Sequence, residues 1–143
     1  MKVVKDEKLV ELVKCAARMP EKSYAPYSHF HVGAALLCDD GSVYTGCNVE
    51  NAAFGPSICA ERVAVFKAVS EGHRAFKAIA VVGGREGVLS DYCPPCGVCR
   101  QVLAEFCDPE TFEIILAKSA DDSEPHSYLL KELLPLGFGS DNL

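Results

Sequence analysis

Two cysteine-containing segments, far apart in the chain, constrain its fold more than any other feature. The first is Cys59-Ala60-Glu61 and the second is Cys96-Gly97-Val98-Cys99. Three thiolates can hold a tetrahedral zinc ion and leave its fourth position open to water, which is the arrangement of a catalytic zinc site. We therefore expect the fold to bring the two segments together and to place the Glu61 carboxylate beside the metal without making it a ligand.

Three thiolates carry more negative charge than one zinc ion neutralises, so such a site needs compensating positive charge. Arg62 directly follows Glu61, and we expect its guanidinium to supply part of that compensation. Each cysteine segment is also predicted to open a helix, whose unpaired N–H groups stabilise thiolates. Ser57 is the predicted cap of the first helix, and Pro95 is the predicted first residue of the second.

The order of the predicted elements is typical of an α/β fold. The predictions are a helix at 6–19, strands at 30–38 and 43–49, a helix at 58–71, a strand at 78–82, a helix at 95–106, a strand at 112–117 and a final helix at about 126–134. Strand–helix–strand units favour parallel pairing. We expect a three-layer α/β/α sandwich with a mixed sheet of about five strands, in one domain that spans residues 1–143.

The remaining cysteines leave two alternatives to a three-thiolate catalytic site. The eight cysteines could form a disulfide framework, but the first residues lack an apolar signal segment, so we expect reduced thiols in the cytoplasm. Cys93 could supply a fourth ligand to a structural zinc site, although Glu61 would then have no purpose. The other cysteines lie in apolar or strand-like runs and are predicted to be core residues: Cys15, Cys38, Cys47 and Cys107.

Charge and composition disfavour two classes of partner. The net charge of −6 and the pI of about 5.2 argue against a nucleic-acid-binding protein or a polynucleotide editor, both of which need a basic surface. No apolar run approaches the ~20 residues of a membrane span. We therefore expect a small-molecule substrate, no nucleic acid and no membrane. The histidines fit no ligand spacing and are given no catalytic role: His29, His31, His73 and His126.

Four motifs occur together along most of the chain: Tyr27-Ser28-His29-Phe30-His31-Val32-Gly33-Ala34-Ala35-Leu36, Gly46-Cys47-Asn48-Val49-Glu50-Asn51, Cys59-Ala60-Glu61-Arg62 and Pro95-Cys96-Gly97-Val98-Cys99-Arg100-Gln101. Through these motifs the chain resembles the small homotetrameric cytidine deaminases. The resemblance implies one Zn²⁺ per subunit on Cys59, Cys96 and Cys99, with Glu61 as the proton carrier. It implies hydrolysis of free cytidine and deoxycytidine to uridine and deoxyuridine with release of ammonia, as in pyrimidine salvage. We expect the backbone N–H of Ala60 to donate to the base carbonyl.

Asn48 and Glu50 are the candidate sugar-binding residues. They lie two apart at a predicted strand end, so they face the same way while Val49 points into the core, and their side chains can bond sugar hydroxyls. The resemblance assigns both to the ribose, and a carboxylate there would repel a 5′-phosphate. The resemblance also places Phe30 beside the nucleoside and Phe138 in the site of a neighbouring subunit.

The predicted helix at 58–71 is apolar nearly all the way round, as Val63, Val65 and Phe66 illustrate. Such a helix is expected to be buried on every side. The resemblance implies a homotetramer with shared active sites, in which these helices pack together. Burial within one subunit is the alternative.

Two other functions are compatible with the same residues. A blasticidin-type antibiotic deaminase would use the same metal centre on another cytosine derivative, and Asn48 and Glu50 favour the nucleoside over it. A zinc-stabilised binding protein without turnover would need four protein ligands, with Cys93 among them.

Overall fold

The computed structural model describes all 143 residues and contains one six-stranded sheet with helices on both faces. The strands are β1 Lys2–Val3, β2 Phe30–Cys38, β3 Val43–Cys47, β4 Phe76–Arg85, β5 Glu113–Leu116 and β6 His126–Leu129. The helices are α1 Glu7–Ala17, α2 Ala60–Ser70, α3 Gly97–Phe106 and α4 Leu130–Leu133. No helix combines the length and the apolar composition that crossing a bilayer requires.

The sheet is mixed, as predicted, and its strand order is β1-β6-β5-β4-β2-β3. Strands β2 and β3 form the predicted antiparallel hairpin, and β2 also pairs antiparallel with β4. Strands β4 and β5, which α3 connects, pair in parallel, so Ile79 lies opposite Ile114. The predicted α/β fold is confirmed, with six strands instead of about five.

The prediction of a helix over 126–134 was wrong for its first half. Residues His126–Leu129 form β6, which pairs antiparallel with β5 on one side and with the two-residue β1 on the other. Only Leu130–Leu133 are helical. Backbone partners supplied by β1 and β5 outweigh a local helical preference, because strand stability depends on neighbouring strands.

Each face of the sheet has its own apolar core. Helix α1 is capped by the Asp6 carboxylate, which accepts a hydrogen bond from the Lys8 backbone N–H at 2.8 Å. Its buried residues, among them Val13, pack with alternate side chains of the central strands. Helices α2 and α3 cover the opposite face, where Val65 and Leu103 lie in the second cluster. The predicted three-layer arrangement is confirmed.

The prediction that four further cysteines are core residues was wrong for two of them. Cys38 and Cys107 are core residues as predicted, but Cys15 and Cys47 are only half-buried. In helix α2, Phe66 is 43% exposed, so burial within a single subunit does not cover every side of the helix. The helix is therefore apolar on a face that this chain alone leaves in solvent.

Candidate active site

Close contact between β3 and α2 places the first cysteine segment. A Cβ atom at Gly46 would lie 2.3 Å from the Ala60 carbonyl oxygen and 2.7 Å from the Ala64 nitrogen, so only glycine lets the helix start so near the sheet. The helix begins at Ala60, and Cys59 is its N-cap. The prediction that Ser57 caps the helix was wrong, because the Ser57 hydroxyl accepts the Asn51 backbone N–H instead.

The second cysteine segment also opens a helix, two residues later than predicted. Cys96 is the N-cap of α3, and its Sγ accepts the Cys99 backbone N–H at 3.5 Å. Pro95 precedes the cap and is buried, so its predicted place as the first helical residue was wrong. Cys99 is fully buried in the first turn, and hydrogen bonding to Cys59 together with burial raises the pKa of its thiol.

The three predicted ligand sulfurs lie together. Those of Cys59 and Cys96 are 3.8 Å apart, and those of Cys96 and Cys99 are 3.5 Å apart. All three lie within 4.8 Å of one another. Zinc–sulfur bonds of ~2.3 Å in a tetrahedron put sulfurs about 3.8 Å apart. The cluster therefore fits a zinc ion with three protein ligands.

Cys93 lies outside this cluster. Its sulfur packs under β4, where it would lie only 2.9 Å from a Cβ atom at Gly83. Burial raises the pKa of the Cys93 thiol to about 12. The geometry therefore favours three ligands and does not favour the four-thiolate structural site.

Arg62 contacts the cluster directly. Its Nη2 lies 3.2 Å from the Cys59 sulfur. Hydrogen bonding to Cys99 lowers the pKa of Cys59, burial opposes this effect, and the Arg62 guanidinium lowers it further, to about 5. The guanidinium is thus placed to offset the thiolate charge, as expected from its position in the sequence.

Glu61 projects from the first turn of α2 into the interior and is only 4% exposed. Burial is the main reason that the pKa of Glu61 rises to about 7, and the negative charge of Cys59 adds to the effect. A carboxyl group that exchanges protons near neutral pH is suited to general acid–base work. The group does not belong to the cluster of metal-binding atoms.

The segment that carries Asn48 and Glu50 is joined to the start of α2. Val49 and Ile58 exchange backbone hydrogen bonds of 3.0 and 2.9 Å. Because Ile58 directly precedes Cys59, these bonds place the segment beside the first zinc-cluster cysteine. The expectation that Val49 points into the core was wrong, since its side chain is 42% exposed. Strand β3 ends at Cys47, two residues earlier than predicted, and Val49 forms an isolated bridge with Ile58, the residue before Cys59.

The Asn48 side chain holds the start of β2, and the Glu50 side chain holds the loop before it. The Asn48 amide accepts the Val32 N–H at 2.8 Å and donates to the Phe30 carbonyl at 2.8 Å. Glu50 accepts the backbone N–H of Ser28 at 3.1 Å. The Ser28 hydroxyl also donates to Glu50 and accepts the Phe30 N–H at 3.0 Å.

Ser28 is a residue whose importance sequence reasoning missed. It lies within the first motif, but its contact with Glu50 spans 22 residues and depends on how the loop folds. The hydroxyl connects the candidate sugar-binding carboxylate to the backbone of Phe30. No spacing rule relates these positions, so only the folded structure makes the connection visible.

The remaining candidates lie in three different settings. Ala60 is the first residue of α2, so its buried N–H has no intrahelical acceptor and is free for a ligand. Phe30 is 36% exposed and lines a cavity of about 390 Å³ with Tyr92. Phe138 is 59% exposed and lines a different cavity, which contains none of the three zinc-cluster cysteines.

Comparison with known proteins identifies the family to which this chain belongs. Residues 6–114 match the family model described as the cytidine and deoxycytidylate deaminase zinc-binding region. This chain belongs to that family. The resemblance seen in the sequence is therefore confirmed, and so is the assignment of zinc as the cofactor.

Individual relatives of the family resemble the chain over nearly its whole length. The cytidine deaminase of Sporosarcina psychrophila is 48% identical over 133 residues, 93% of each chain. The probable cytidine deaminase of Dictyostelium discoideum is 41% identical over 96% of this chain and 88% of its own. The crystal structure of cytidine deaminase from Burkholderia pseudomallei has a TM-score of 0.79 and 45% identity, covering 90% of this chain and 97% of its own.

Proposed function

We propose that this chain catalyses the hydrolytic deamination of free cytidine and deoxycytidine to uridine and deoxyuridine, with release of ammonia, as a step of pyrimidine salvage. The observation that carries the proposal is the three-sulfur cluster beside a buried Glu61, in a chain that belongs to the deaminase family. Relatives that are cytidine deaminases and match more than nine-tenths of the chain support this activity.

Cys59, Cys96 and Cys99 are the proposed zinc ligands. Zinc, if bound there, would lower the pKa of a water molecule to about 7 and so make hydroxide available at neutral pH for attack on C4 of the cytosine. Glu61 takes one proton from the attacking water and passes it to N3 of the cytosine, and then takes the proton of the new C4 hydroxyl and passes it to the departing amine. The water oxygen remains on C4, and the amine leaves as ammonia.

The proposed contacts orient the nucleoside around that reaction. The free N–H of Ala60 donates to the base carbonyl, and Phe30 packs beside the nucleoside. Asn48 and Glu50 bond the sugar hydroxyls with the donors and lone pairs that their loop contacts leave free.

Glu50 also favours a nucleoside over a nucleotide. Hydrogen bonding from the Ser28 hydroxyl, with further backbone bonds, lowers the pKa of Glu50, so the carboxylate is ionised at neutral pH. A negative charge beside the sugar repels a 5′-phosphate. The net charge of −6 likewise repels the phosphate backbone of a nucleic acid.

The test of this function is ammonia release and loss of cytosine absorbance when free cytidine is added to the zinc-loaded protein. Cytidine 5′-monophosphate and blasticidin serve as comparison substrates. We expect turnover of cytidine and little turnover of the other two. Turnover of blasticidin without turnover of cytidine would instead establish the antibiotic deaminase, and no turnover by folded, zinc-loaded protein would favour the binding protein.

We further propose that residues 1–143 act as one catalytic domain in a homotetramer. The solvent-exposed Phe66 on α2 is supporting evidence, because a partner helix would cover its apolar surface. The eight unpaired cysteines suit a reducing compartment such as the cytoplasm.

Mixing two inactive variants tests whether active sites are shared. Phe138→Ala lacks the aromatic ring proposed to enter a neighbouring site, and Glu61→Gln lacks the proton carrier. After subunit exchange we expect partial recovery of deamination, since some sites will then have both groups. The mixture is assayed before and after exchange, and failure to recover activity in oligomers shown to have exchanged would contradict sharing.

Ser28→Ala tests the positioning of Glu50. The substitution removes the hydroxyl bond to the carboxylate, which is then held only by the backbone N–H groups of Tyr27 and Ser28. We expect the KM for cytidine to rise by roughly three- to tenfold, with a smaller change in kcat, because an exposed hydrogen bond is screened by solvent. Steady-state kinetics with Ser28→Thr as the matched control check this, because threonine keeps the hydroxyl. An unchanged KM, or equal loss in Ser28→Ala and Ser28→Thr, would oppose the role.

A further inference from the structure

A second set of metal-binding side chains lies at the opposite end of α2 from the catalytic cysteines. The Cys38 sulfur, an Asp40 oxygen and a His73 ring nitrogen all lie within 4.8 Å of one another. Cys38 ends β2, Asp40 is in the turn to β3, and His73 follows α2. The 11 residues of α2 separate the two clusters by about 16 Å along the helix.

Asp40 and His73 each have an atom free to bind an ion, whereas the Cys38 sulfur is hydrogen-bonded to the Ser42 side chain. Asp40 uses Oδ1 to cap the hairpin turn, where it accepts the Ser42 backbone N–H at 2.9 Å. Its Oδ2 instead faces the His73 Nδ1 at 3.7 Å, which is too long for a hydrogen bond. The His73 ring makes only an edge contact with Tyr44, with the ring centroids 5.2 Å apart.

The backbone holds these groups in place without a ligand. The Gly41 N–H donates to the Cys38 carbonyl at 3.0 Å and closes the hairpin turn. The His73 N–H donates to the Ala68 carbonyl at 3.0 Å and fixes the chain after α2. Ligands at zinc–ligand distances of ~2.0–2.3 Å lie about 3.3–3.8 Å apart in a tetrahedron, so small side-chain rotations bring the three atoms to bonding positions.

Burial and chemistry indicate the kind of ion. Cys38 is fully buried, the His73 side chain is 23% exposed and the Asp40 side chain is 62% exposed. An ion would therefore enter past Asp40 and bind the thiolate as its innermost ligand. Sulfur and imidazole select thiophilic ions, whereas Mg²⁺ and Ca²⁺ need oxygen ligands. A thiolate and a carboxylate together neutralise a divalent charge.

We propose that Cys38, Asp40 and His73 bind one zinc ion that joins the β2–β3 turn to the end of α2. This ion is separate from the proposed catalytic zinc, since the two sites share no residue. Its binding stabilises the folded state by mass action and takes no part in deamination.

Zinc titration of the chelator-treated protein, with bound zinc measured after equilibrium dialysis, tests this site. We expect two equivalents on the wild type and one on the double variant Asp40→Asn with His73→Gln. Both substitutions are isosteric or nearly so, and the asparagine side chain introduced by Asp40→Asn can still cap the turn. Asp39→Asn, which changes the neighbouring carboxylate, is the matched control and should keep both equivalents.

The second equivalent should also raise the melting temperature of the wild type, whereas excess zinc should leave that of the double variant unchanged. The affinity of the second site for zinc should be more than about tenfold lower in the double variant than in the wild type. Cytidine turnover by the double variant should stay at the wild-type rate. One equivalent on the wild type, or two on the double variant, would overturn the proposal. Neither result depends on the chain being a deaminase.

Discussion

Glu61→Gln is expected to lower kcat for cytidine by about 10²–10⁴-fold, the range over which a positioned proton carrier accelerates a reaction. Glutamine keeps the shape of the buried side chain but cannot accept a proton from water or pass one to the leaving amine. Because Glu61 lies outside the cluster of metal-binding atoms, the variant should retain as much zinc as the wild type. Its affinity for cytidine should also change little, because the glutamine keeps the volume of the pocket.

The measurement is single-turnover and steady-state deamination, with zinc content and cytidine affinity determined on the same samples. Glu71→Gln is the matched control, since Glu71 is an exposed carboxylate just beyond the other end of α2 and should keep full activity. Near-normal turnover by Glu61→Gln would remove this residue from the mechanism. Loss of zinc from Glu61→Gln would show instead that the Glu61 carboxylate contributes to zinc binding.

Much of the candidate site could be predicted because its chemistry is local in sequence. A carboxylate two residues after Cys59, and two cysteines three apart at a helix start, have meaning before the fold is known. The structure brings all three sulfurs within 4.8 Å of one another, as we expected from the two motifs. The parallel pairing of β4 with β5 was predictable for a related reason, since a helix lies between them.

The errors at the helix starts have a tertiary cause. Ser57 is a good cap by residue type, but its hydroxyl bonds Asn51 in the loop before α2. The actual start at Ala60 is set by the close approach of Gly46 on β3, which no local propensity reports. Strand β6 escaped prediction similarly, because its partners are the beginning of the chain and β5.

Contacts between residues that are distant in sequence account for the other features that the sequence did not predict. The hydroxyl of Ser28 acquires its role only when the loop before β2 meets Glu50. His73 fits no ligand spacing with any cysteine, yet the hairpin turn brings Asp40 to it. Sequence reasoning therefore recovers the cysteine cluster, whose residue types and short motifs indicate a zinc site before the fold is known, although its two segments lie 37 residues apart. It misses contacts such as that of Ser28 with Glu50, for which no motif exists.

Cys99→Ser is expected to abolish deamination, and the variant is expected to bind one zinc ion fewer than the wild type. Cys99 is fully buried between Cys96 and the α2 start, and zinc needs all three ligands to leave one position open. Serine supplies a hydroxyl with a much higher pKa than a thiol, so no anionic ligand replaces the sulfur. Zinc content after dialysis and the rate of cytidine turnover are the two measurements.

Cys93→Ala is the control that separates a three-cysteine site from a four-cysteine site. The Cys93 sulfur is near in sequence but packs against Gly83, outside the metal-binding cluster. We expect this variant to keep its zinc and most of its activity, and Cys59→Ser, at a half-buried ligand, to behave like Cys99→Ser without disturbing the core. Equal zinc loss from Cys93→Ala and Cys99→Ser would mean that Cys93 is a ligand, and the open position that hydrolysis requires would then be closed.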